Sequence, residues 1–466
     1  MTAHVENPNL NMPIKKAGIV ALTVTLILCV LTYQFNLSMV TPALPNIADS
    51  LNVGVDQVSQ VSSLLLLVSS IAGVVLARWS DFIGRQRALV IILVLMGIGT
   101  ILCMFAPNFT VLMIGRVFQG ATGAAFQLCY VILKEAVSPK KFGTILGVIT
   151  AANGGVAGID GYLGGLLSDN FGFRSIFVVI LIVGLIAFLG VKATVPKGRP
   201  ATTTGKMDWW GALAIAVVLI CLTNFVSTGS ADGWLSTMSL IYFFGTAISM
   251  VAFWFIEKKS ESPLFPVEHL KSRQVWPVIT TTLLTLSGVF AVINFSIVML
   301  SQDKTVGFGL SAATTGLLFL MPGAIIGLFS APLSGWIAGK FGWVRWLRIG
   351  LIINIAILLV IALMWENQWV VFGAIIAMGF TYNGLILTTI NGLGVIQAPD
   401  EAPSALTGFN GAAFGIGASL GIGLVAPLVA EGTASGFSNA MWISMIITIF
   451  ALVSSLFIIP KPVKKD

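Results

Sequence analysis

The sequence predicts an all-α polytopic membrane protein with fourteen membrane-spanning helices. Of its 466 residues, 57% are hydrophobic and 9% are charged, a composition outside the usual range of soluble domains. Fourteen apolar stretches are each long enough to cross a bilayer, which takes about 20 residues in a helix. The basic residues between these stretches fall almost entirely on one side of the membrane. These three observations exclude a soluble fold.

Short polar segments separate the apolar stretches along most of the chain. The polar start Met1–Lys16 leads into a first stretch that is too long for the core of a signal peptide, so no cleavable signal is expected. The spans are predicted at 18–44, 58–80, 88–106, 109–134, 142–168, 173–193, 209–229, 236–256, 275–301, 310–338, 346–364, 367–396, 403–430 and 437–460.

The positions of lysine and arginine predict the orientation. All but three of the 25 Lys and Arg residues fall in the termini or in loops that an inside start makes cytoplasmic. The exceptions are Arg174 and Lys304 on the outer side and Arg116 inside a span. Because basic residues accumulate on the cytoplasmic side, both termini are expected in the cytoplasm. This pattern explains the net charge of +7 without a nucleic-acid partner.

Two long polar breaks divide the spans into groups of six, two and six. We predict an amino-terminal six-helix bundle at 1–193, a segment at 194–274 with a linker, two extra helices and a second linker, and a carboxyl-terminal six-helix bundle at 275–466. The halves share a weak repeat, because Gly84 and Arg87 after the second span recur as Gly342 and Arg345. Duplicated six-helix halves are typical of secondary transporters.

Four local motifs stand out along the chain. The segment Ala77–Arg87 (ARWSDFIGRQR) resembles Gly-x-x-x-Asp-x-x-Gly-Arg-x-Arg, with Ala77 at the first glycine. Arg116–Ala125 is similar to Arg-x-x-Gln-Gly-x-x-x-Ala. The other two motifs are Asp208–Gly211 (DWWG) at the start of the extra helices and Asn36–Pro45 (NLSMVTPALP) at the end of the first span. Together these motifs resemble those of the major facilitator superfamily, and within it the 14-helix drug:proton antiporter group, and the resemblance covers nearly the whole chain.

Two positions depart from the pattern of the antiporter group. Asn36 stands where that group has an acidic residue, and Asp160-Gly161 stands where its fifth span has Gly-Pro. Because the Gly-Pro sequence is associated with exporters, its loss leaves the direction of transport open.

Charged side chains deep in a membrane are costly and mark functional sites. Arg116 and Asp160 are the two that stand out, at ~12 Å and ~13 Å from the outer ends of their spans, and Asn36 is also ~13 Å deep. We predict that Arg116 and Asp160 form an ion pair that opens and closes during transport, so that Asp160 takes up a proton when the pair is lost. The alternatives are a permanent pair that holds the two helices together, and no contact.

Polar amides are the candidates for substrate binding. The resemblance implies that the first and fourth helices of each six-helix half line the cavity, whereas for any single amide interhelical hydrogen bonding is the favoured explanation. The substrate candidates are Gln34, Asn36, Gln119, Gln127, Asn294 and Asn383. The nearby aromatic residues that can stack on a ligand are Tyr33, Phe126, Tyr130, Phe290, Phe295, Phe380, Tyr382 and Phe409.

The resemblance also implies a conformational latch between the two halves, formed by Asp81, Gly84, Arg85 and Arg87. The competing explanation for the two arginines is that they only set the topology. An acid within this basic loop favours the latch.

These residues favour a secondary active transporter of the cell membrane that moves a small amphipathic organic solute by alternating access. Proton-coupled efflux is the leading hypothesis, and a proton-coupled importer or facilitator of a specific metabolite is the alternative. A membrane sensor or scaffold is a third, weaker hypothesis. With Asn36 uncharged and Asp160 opposite Arg116, a neutral, zwitterionic or anionic solute fits best.

No enzymatic activity is expected, because neither a nucleophile–base pair nor a cluster of metal ligands is apparent. We expect no catalytic residue, no metal and no cofactor, with the proton gradient as the energy source. The expected partners are the solute, protons and membrane lipid, and the protein is expected to be a monomer.

Overall fold

The computed structural model describes residues 16–197, 206–265, 267–310, 312–400 and 402–461. This part of the chain is helical and contains no β-strand. It has fourteen helices that are long and apolar enough to cross a membrane, which confirms the predicted fold class. They are α1 Gly18–Ala43, α2 Gln60–Ile83, α3 Arg85–Met104, α4 Phe109–Ala136, α5 Pro139–Phe171, α6 Arg174–Thr194, α7 Trp209–Asp232, α8 Thr237–Lys259, α9 Trp276–Gln302, α10 Gly316–Phe341, α11 Trp343–Met364, α12 Gln368–Ile396, α13 Ala405–Ala430 and α14 Ala434–Leu456.

Several membrane helices contain irregular turns. The first span ends in a 3₁₀ turn, Thr41–Ala43, and α4 is divided between Phe109–Gln119 and Thr122–Ala136. In the second half, π-helical turns occur at Leu286–Phe290, Val292–Ser296, Gly316–Leu320 and Gly379–Ile386. Irregular backbone at membrane depth is tolerated where it is buried in protein or lines a cavity, and π-turns are frequent at functional sites. Two substrate candidates, Asn294 and Asn383, lie in these turns.

The apolar side chains form separate cores. Helices α1–α6 share one buried cluster, and α9–α14 share a second. Helices α7 and α8 pack through a third cluster that includes Val74 of α2 and Ala412 of α13. The predicted domain boundaries, after residue 193 and before residue 275, stay a prediction. The first predicted linker, 192–206, and the start of the chain, 1–16, lie largely outside the described residues.

The repeated glycines make the same sharp turn in each half. Gly84 joins α2 to α3 with φ 92° and ψ 146°, and Gly342 joins α10 to α11 with φ 100° and ψ 127°. Residues with a Cβ rarely adopt these angles. Glycine therefore recurs at these two positions because the backbone has a positive φ angle at both.

The two halves approach most closely at the end that contains Asp81. A Cβ atom on Gly143 of α5 would collide with the carbonyl oxygen of Gly335 of α10, and one on Gly408 would lie 2.5 Å from the carbonyl oxygen of Gly73. Farther along α5, a Cβ on Gly154 would meet no atom within 4 Å. The halves are thus packed backbone to backbone at the Asp81 end, and there is space along α5 beyond it.

Candidate functional site

Asp160 lies in α5 and is bound to α1 through a serine. Its side chain is buried, and its Oδ2 lies 2.5 Å from Ser38 Oγ. Ser38 Oγ also accepts a hydrogen bond of 3.1 Å from Gln34 Nε2. The other carboxyl oxygen, Oδ1, is buried without a hydrogen-bond partner among the described residues. Asp160 is therefore a buried carboxyl group with one oxygen still free to accept a proton or a hydrogen bond.

Arg116 does not pair with Asp160 in this structure. Its guanidinium is fully buried and donates to the carbonyl oxygen of Val61 (3.0 Å), the carbonyl oxygen of Asn36 (3.0 Å) and Gln119 Oε1 (2.9 Å). These acceptors direct the guanidinium into the packing of α1, α2 and α4, whereas Asp160 on α5 faces Ser38. Within the described chain the predicted ion pair is absent from this conformation. The proton-coupling role of the two residues stays a prediction.

Asn36 and Gln119 lie inside the amino-terminal bundle. Both are fully buried. Asn36 donates to the carbonyl oxygen of Thr32 at 2.7 Å, and Gln119 donates to Thr100 Oγ1 at 3.0 Å while accepting from Arg116. The depth argument correctly places Asn36 beside Arg116, but the contact is made by the backbone of Asn36. In this conformation the amide of Gln119 joins α4 to α3, the amide of Asn36 bonds within α1, and neither lines an open surface.

Of the other four substrate candidates, Gln34 and Gln127 are also buried, Asn383 is half-buried and Asn294 is exposed. Gln34 lies beside Ser38, and Gln127 of α4 packs against Gly411 of α13, with no hydrogen-bond partner in the described chain. Asn294 is exposed and donates to the carbonyl oxygen of its own helix at Phe290 (3.2 Å). Asn383 is half-buried and donates to the carbonyl oxygen of Gly323 (3.2 Å). Their role in substrate binding stays a prediction.

Three of the aromatic candidates form a continuous group between α1 and α4. Tyr33 stacks on Phe126 with ring centroids 5.7 Å apart, and Phe126 meets the edge of Tyr130 at 5.1 Å. Tyr130 Oη accepts a hydrogen bond of 3.2 Å from Asn391 Nδ2 in the other half of the molecule. This bridge was not predicted from the sequence, where Asn391 is only one of several amides in the spans. Phe409, by contrast, packs on Phe265 at 5.2 Å and belongs to the contacts of the second linker.

Asp81 is the centre of a buried polar cluster. The cluster lies at the end of the molecule where the two halves pack backbone to backbone, which we call the closed end. It forms ion pairs with Arg78 Nη1 (2.7 Å) and with Arg85 Nη1, and it accepts a hydrogen bond of 2.8 Å from Ser404 Oγ at the start of α13. Arg85 also pairs with Glu135 of α4 (2.9 Å). Through Ser404 the cluster joins the two halves of the molecule.

The predicted latch residues do not all enter this cluster. Gly84 supplies the turn that brings Arg85 back over Asp81, but Arg87 is exposed and makes no hydrogen bond or ion pair within the described chain. Sequence reasoning missed Arg78, Glu135 and Ser404. Arg78 carried a usable signal, because it lies three residues before Asp81 on the same helix face. Ser404 carried none, because it comes from the other half of the chain.

Comparison with known proteins places this architecture in a family. The family model for the Major Facilitator Superfamily matches residues 26–422. The chain belongs to this superfamily. As a superfamily member it is a transporter and not an enzyme, and it is a multi-pass protein of a bacterial-type cell membrane.

Its relatives in the superfamily carry different names. The chain is 35% identical to the uridine/deoxyuridine transporter of Lactococcus lactis subsp. cremoris (strain MG1363), over 95% of each protein. It is 23% identical to the quinolone resistance protein NorB of Staphylococcus aureus (strain MRSA252), over 94% of this chain and 96% of that protein. The crystal structure of the human organic anion transporter MFSD10 (TETRAN) is similar in fold, with a TM-score of 0.65 and 13% identity over 96% of this chain and 100% of that one.

Proposed function

We propose that this superfamily member carries a neutral nucleoside across the cell membrane, and that Asp160 binds the proton that drives transport. The observation that carries the substrate class is the 35% identity, along 95% of both chains, to a protein named as a uridine/deoxyuridine transporter. The quinolone resistance protein compared above is only 23% identical. The proposal replaces efflux of an amphipathic compound, the leading hypothesis from the sequence, with its alternative, a transporter of a specific metabolite.

The side chains near the halves' interface suit a nucleoside. A pyrimidine base is flat and neutral, and it stacks favourably on aromatic rings such as Tyr33 and Phe126. Its carbonyl and N–H groups, and the hydroxyls of the sugar, need hydrogen-bonding partners when they leave water. Gln34 and Gln127 are the sequence neighbours of this aromatic pair and can supply amides. Arg116 is already occupied by three acceptors and adds no free cation to the site.

Asp160 has the properties needed for a coupling residue. It is a buried carboxyl with no cation partner among the residues that the structure describes, and Ser38 connects it to Gln34. A proton on Asp160 removes the cost of carrying a charge through a dry state, so the loaded site changes conformation more easily than the empty, charged one. The proton gradient is then the source of energy, and no cofactor is required.

The direction that we propose is uptake. The Asp81 end is placed in the cytoplasm, together with both termini, as the distribution of lysine and arginine predicts. The halves pack closely at that end, so this conformation would receive solute from outside. The exporter-associated Gly-Pro is replaced by Asp160-Gly161. Efflux remains a second candidate, since the relatives include proteins named for multidrug and quinolone resistance.

Flux into proteoliposomes distinguishes these functions. Purified protein is reconstituted, and uptake of labelled uridine, deoxyuridine and the cationic dye ethidium is followed under pH gradients of each sign. A proton symporter accumulates solute when the outside is acidic, and an antiporter does so when the inside is acidic, whichever way the protein has inserted. We expect uridine to accumulate when the outside is acidic, and we expect no accumulation of ethidium under either gradient.

The matched variants are Asp160→Asn and Asp232→Asn, because Asp232 is an exposed acid at the end of α7. Asp160→Asn should lose gradient-driven accumulation but keep exchange of uridine across the membrane, and Asp232→Asn should behave as the wild type. Undiminished accumulation by Asp160→Asn would contradict proton coupling at this residue. Accumulation of ethidium with acid inside would instead establish efflux.

A further inference from the structure

Two acidic residues outside the proposed transport site meet at the base of the extra helix pair. Asp208 caps the start of α7, with its Oδ1 accepting from the backbone N–H of Gly211 at 2.8 Å. Glu257, near the end of α8, is 2% exposed and accepts from the backbone N–H of Phe265 through Oε2 at 3.0 Å. The second oxygen of each carboxyl group, Asp208 Oδ2 and Glu257 Oε1, is buried without a hydrogen-bond partner among the described residues.

These two free oxygens share one small space above Gly211. A Cβ atom on Gly211 would collide with Glu257 Oε1 and would lie 3.2 Å from Asp208 Oδ2. Only glycine therefore leaves room for both carboxyl groups at this point. The glycine of the Asp208–Gly211 segment thus has a local reason, which is to let the acid of α8 reach the acid of α7.

Two adjacent carboxyl groups in a dry site cannot both be ionised without strong repulsion, and such pairs retain a proton. A single proton also provides the donor that both free oxygens lack, because one protonated carboxyl can donate to the other. The charged groups that act on Glu257 are Asp208 and, from α2, Arg78. Arg78 directs N–H groups to Asp81 Oδ2 (2.7 Å) and to the carbonyl oxygen of Pro263 (3.2 and 3.1 Å).

We propose that Asp208 and Glu257 share one proton and form a second proton-binding site, which controls the Asp81 cluster through the linker at 260–265. The shared proton is exchanged with water at that end of the molecule. This site is separate from Asp160 and does not depend on the identity of the solute.

The connection to the closed end runs through named contacts. Glu257 holds the linker at the N–H of Phe265, and the linker in turn holds Arg78 at the carbonyl oxygen of Pro263. Arg78 is paired with Asp81, and Asp81 accepts from Ser404 of the other half. When the shared proton is lost, repulsion between the two carboxylates displaces Glu257, frees the linker and weakens the hold of Arg78 on Asp81. The closed end is therefore the proton-loaded form.

Distance measurements at the closed end test this proposal. Spin labels are placed on Lys141→Cys of α5 and Gly339→Cys of α10, both exposed at that end, in a Cys221→Ser background because the other cysteines are buried. Their separation is measured by double electron–electron resonance in lipid nanodiscs from about pH 5 to about pH 9, the range in which a proton shared by two buried carboxyl groups should be lost. We expect the distance to lengthen as the pH rises.

Glu257→Gln should abolish the lengthening, because glutamine can still accept from Phe265 and donates permanently to Asp208. Asp208→Asn is the second variant and should have the same effect, so a folding failure of one leaves the other informative. Glu261→Gln, an exposed acid in the same linker, should titrate as the wild type. A wild type without pH-dependent lengthening, or Glu257→Gln and Asp208→Asn that both retain it, would overturn the proposal.

The same measurement on Asp160→Asn separates this proposal from the proposed function. If the second site acts independently, the lengthening persists in Asp160→Asn even though gradient-driven accumulation is lost. If Asp160→Asn abolishes the lengthening while Glu257→Gln retains it, the pH response belongs to Asp160 and the second site is excluded.

Discussion

Ser404 donates a hydrogen bond of 2.8 Å to Asp81 across 323 residues of sequence. Asp81 is in turn paired with Arg78 and Arg85, so a single buried carboxylate links the end of α2 to the start of α13. A charge buried in this way is stable only while its partners remain, and each step of alternating access that opens this end must replace them. We therefore propose that this carboxylate controls the stability of the closed state.

Replacing Asp81 should therefore destabilise the closed end. Asp81→Asn leaves two buried arginines without their carboxylate, and loss of one partner of a buried pair costs about 3–5 kcal/mol. Ser404→Ala removes one hydrogen bond and should cost about 1–2 kcal/mol. Thermal unfolding in detergent measures both, with Arg87→Gln as the exposed control. Equal melting temperatures for Asp81→Asn and Arg87→Gln would contradict a latch at Asp81.

The guanidinium of Arg116 should prove necessary for stability. Lysine carries the same charge but cannot reach three acceptors that lie in three directions, so Arg116→Lys should lose about 1.5–3 kcal/mol for each charged hydrogen bond that is not replaced. Arg174→Lys is the control, since Arg174 is exposed and donates to the carbonyl oxygen of Ala106. If Arg116→Lys is fully stable yet uncoupled from protons, Arg116 acts in coupling as first predicted.

A side chain at Gly143 should prevent closure of the Asp81 end. In this structure any Cβ there collides with the carbonyl oxygen of Gly335, so Gly143→Leu can fold only with the two halves apart. We expect transport to fall at least tenfold and the labels at Lys141→Cys and Gly339→Cys to remain separated at every pH. Gly154→Ala, where a Cβ meets no atom within 4 Å, should transport normally. Normal transport by Gly143→Leu would exclude this close packing from the cycle.

The turn at Gly84 should tolerate no other residue without strain. At φ 92° and ψ 146°, an alanine costs about 1–3 kcal/mol. The same cost is expected for Gly342→Ala, which has φ 100°. Gly97→Ala, inside α3 and with open space around it, should instead be neutral or stabilise by up to about 1 kcal/mol. Thermal unfolding of the three variants checks the prediction, which fails if Gly84→Ala and Gly97→Ala are equally stable.

If the solute is a nucleoside, Tyr33 should contribute to its affinity. Tyr33→Leu keeps an apolar side chain but removes the ring that stacks on Phe126, and loss of one base–aromatic contact costs about 1–3 kcal/mol. The KM for uridine should rise about 5- to 150-fold with little change in protein stability. Tyr162→Leu, at a position that is 69% exposed, should leave the KM unchanged. An unchanged KM in Tyr33→Leu would remove this ring from the substrate site.

Much of the fold follows from local features of the sequence. The number and order of the helices depend on the length and polarity of single segments, and the bounds of α5 and α12 were predicted within about three residues. The turns at Gly84 and Gly342 follow from a repeated glycine. Depth indicates that Arg116 and Asn36 lie in one layer of the membrane, because each lies about eight or nine residues from the end of its predicted span.

Depth does not determine which side chains face each other. Arg116 and Asp160 were predicted to pair because they share a layer, yet Arg116 turns toward backbone carbonyl groups and Asp160 turns toward Ser38. The rotation of each helix about its axis decides this, and a rotation of one residue position moves a side chain by about 100°. Spacing within one helix carries no information about the rotation of its neighbour.

The sequence by itself determined that this protein crosses a membrane fourteen times, that its halves repeat, and that acidic and basic groups occur at a few unusual depths. Tertiary structure alone decided that Asp81 meets Ser404, that Asp160 meets Ser38, and that Glu257 meets Asp208 over Gly211. The physical reason is that hydrophobic length and turn glycines act within a segment, whereas a partner for a buried charge comes from another helix. Which residue becomes the partner depends on how closely the two helix backbones approach and on which faces of the two helices meet.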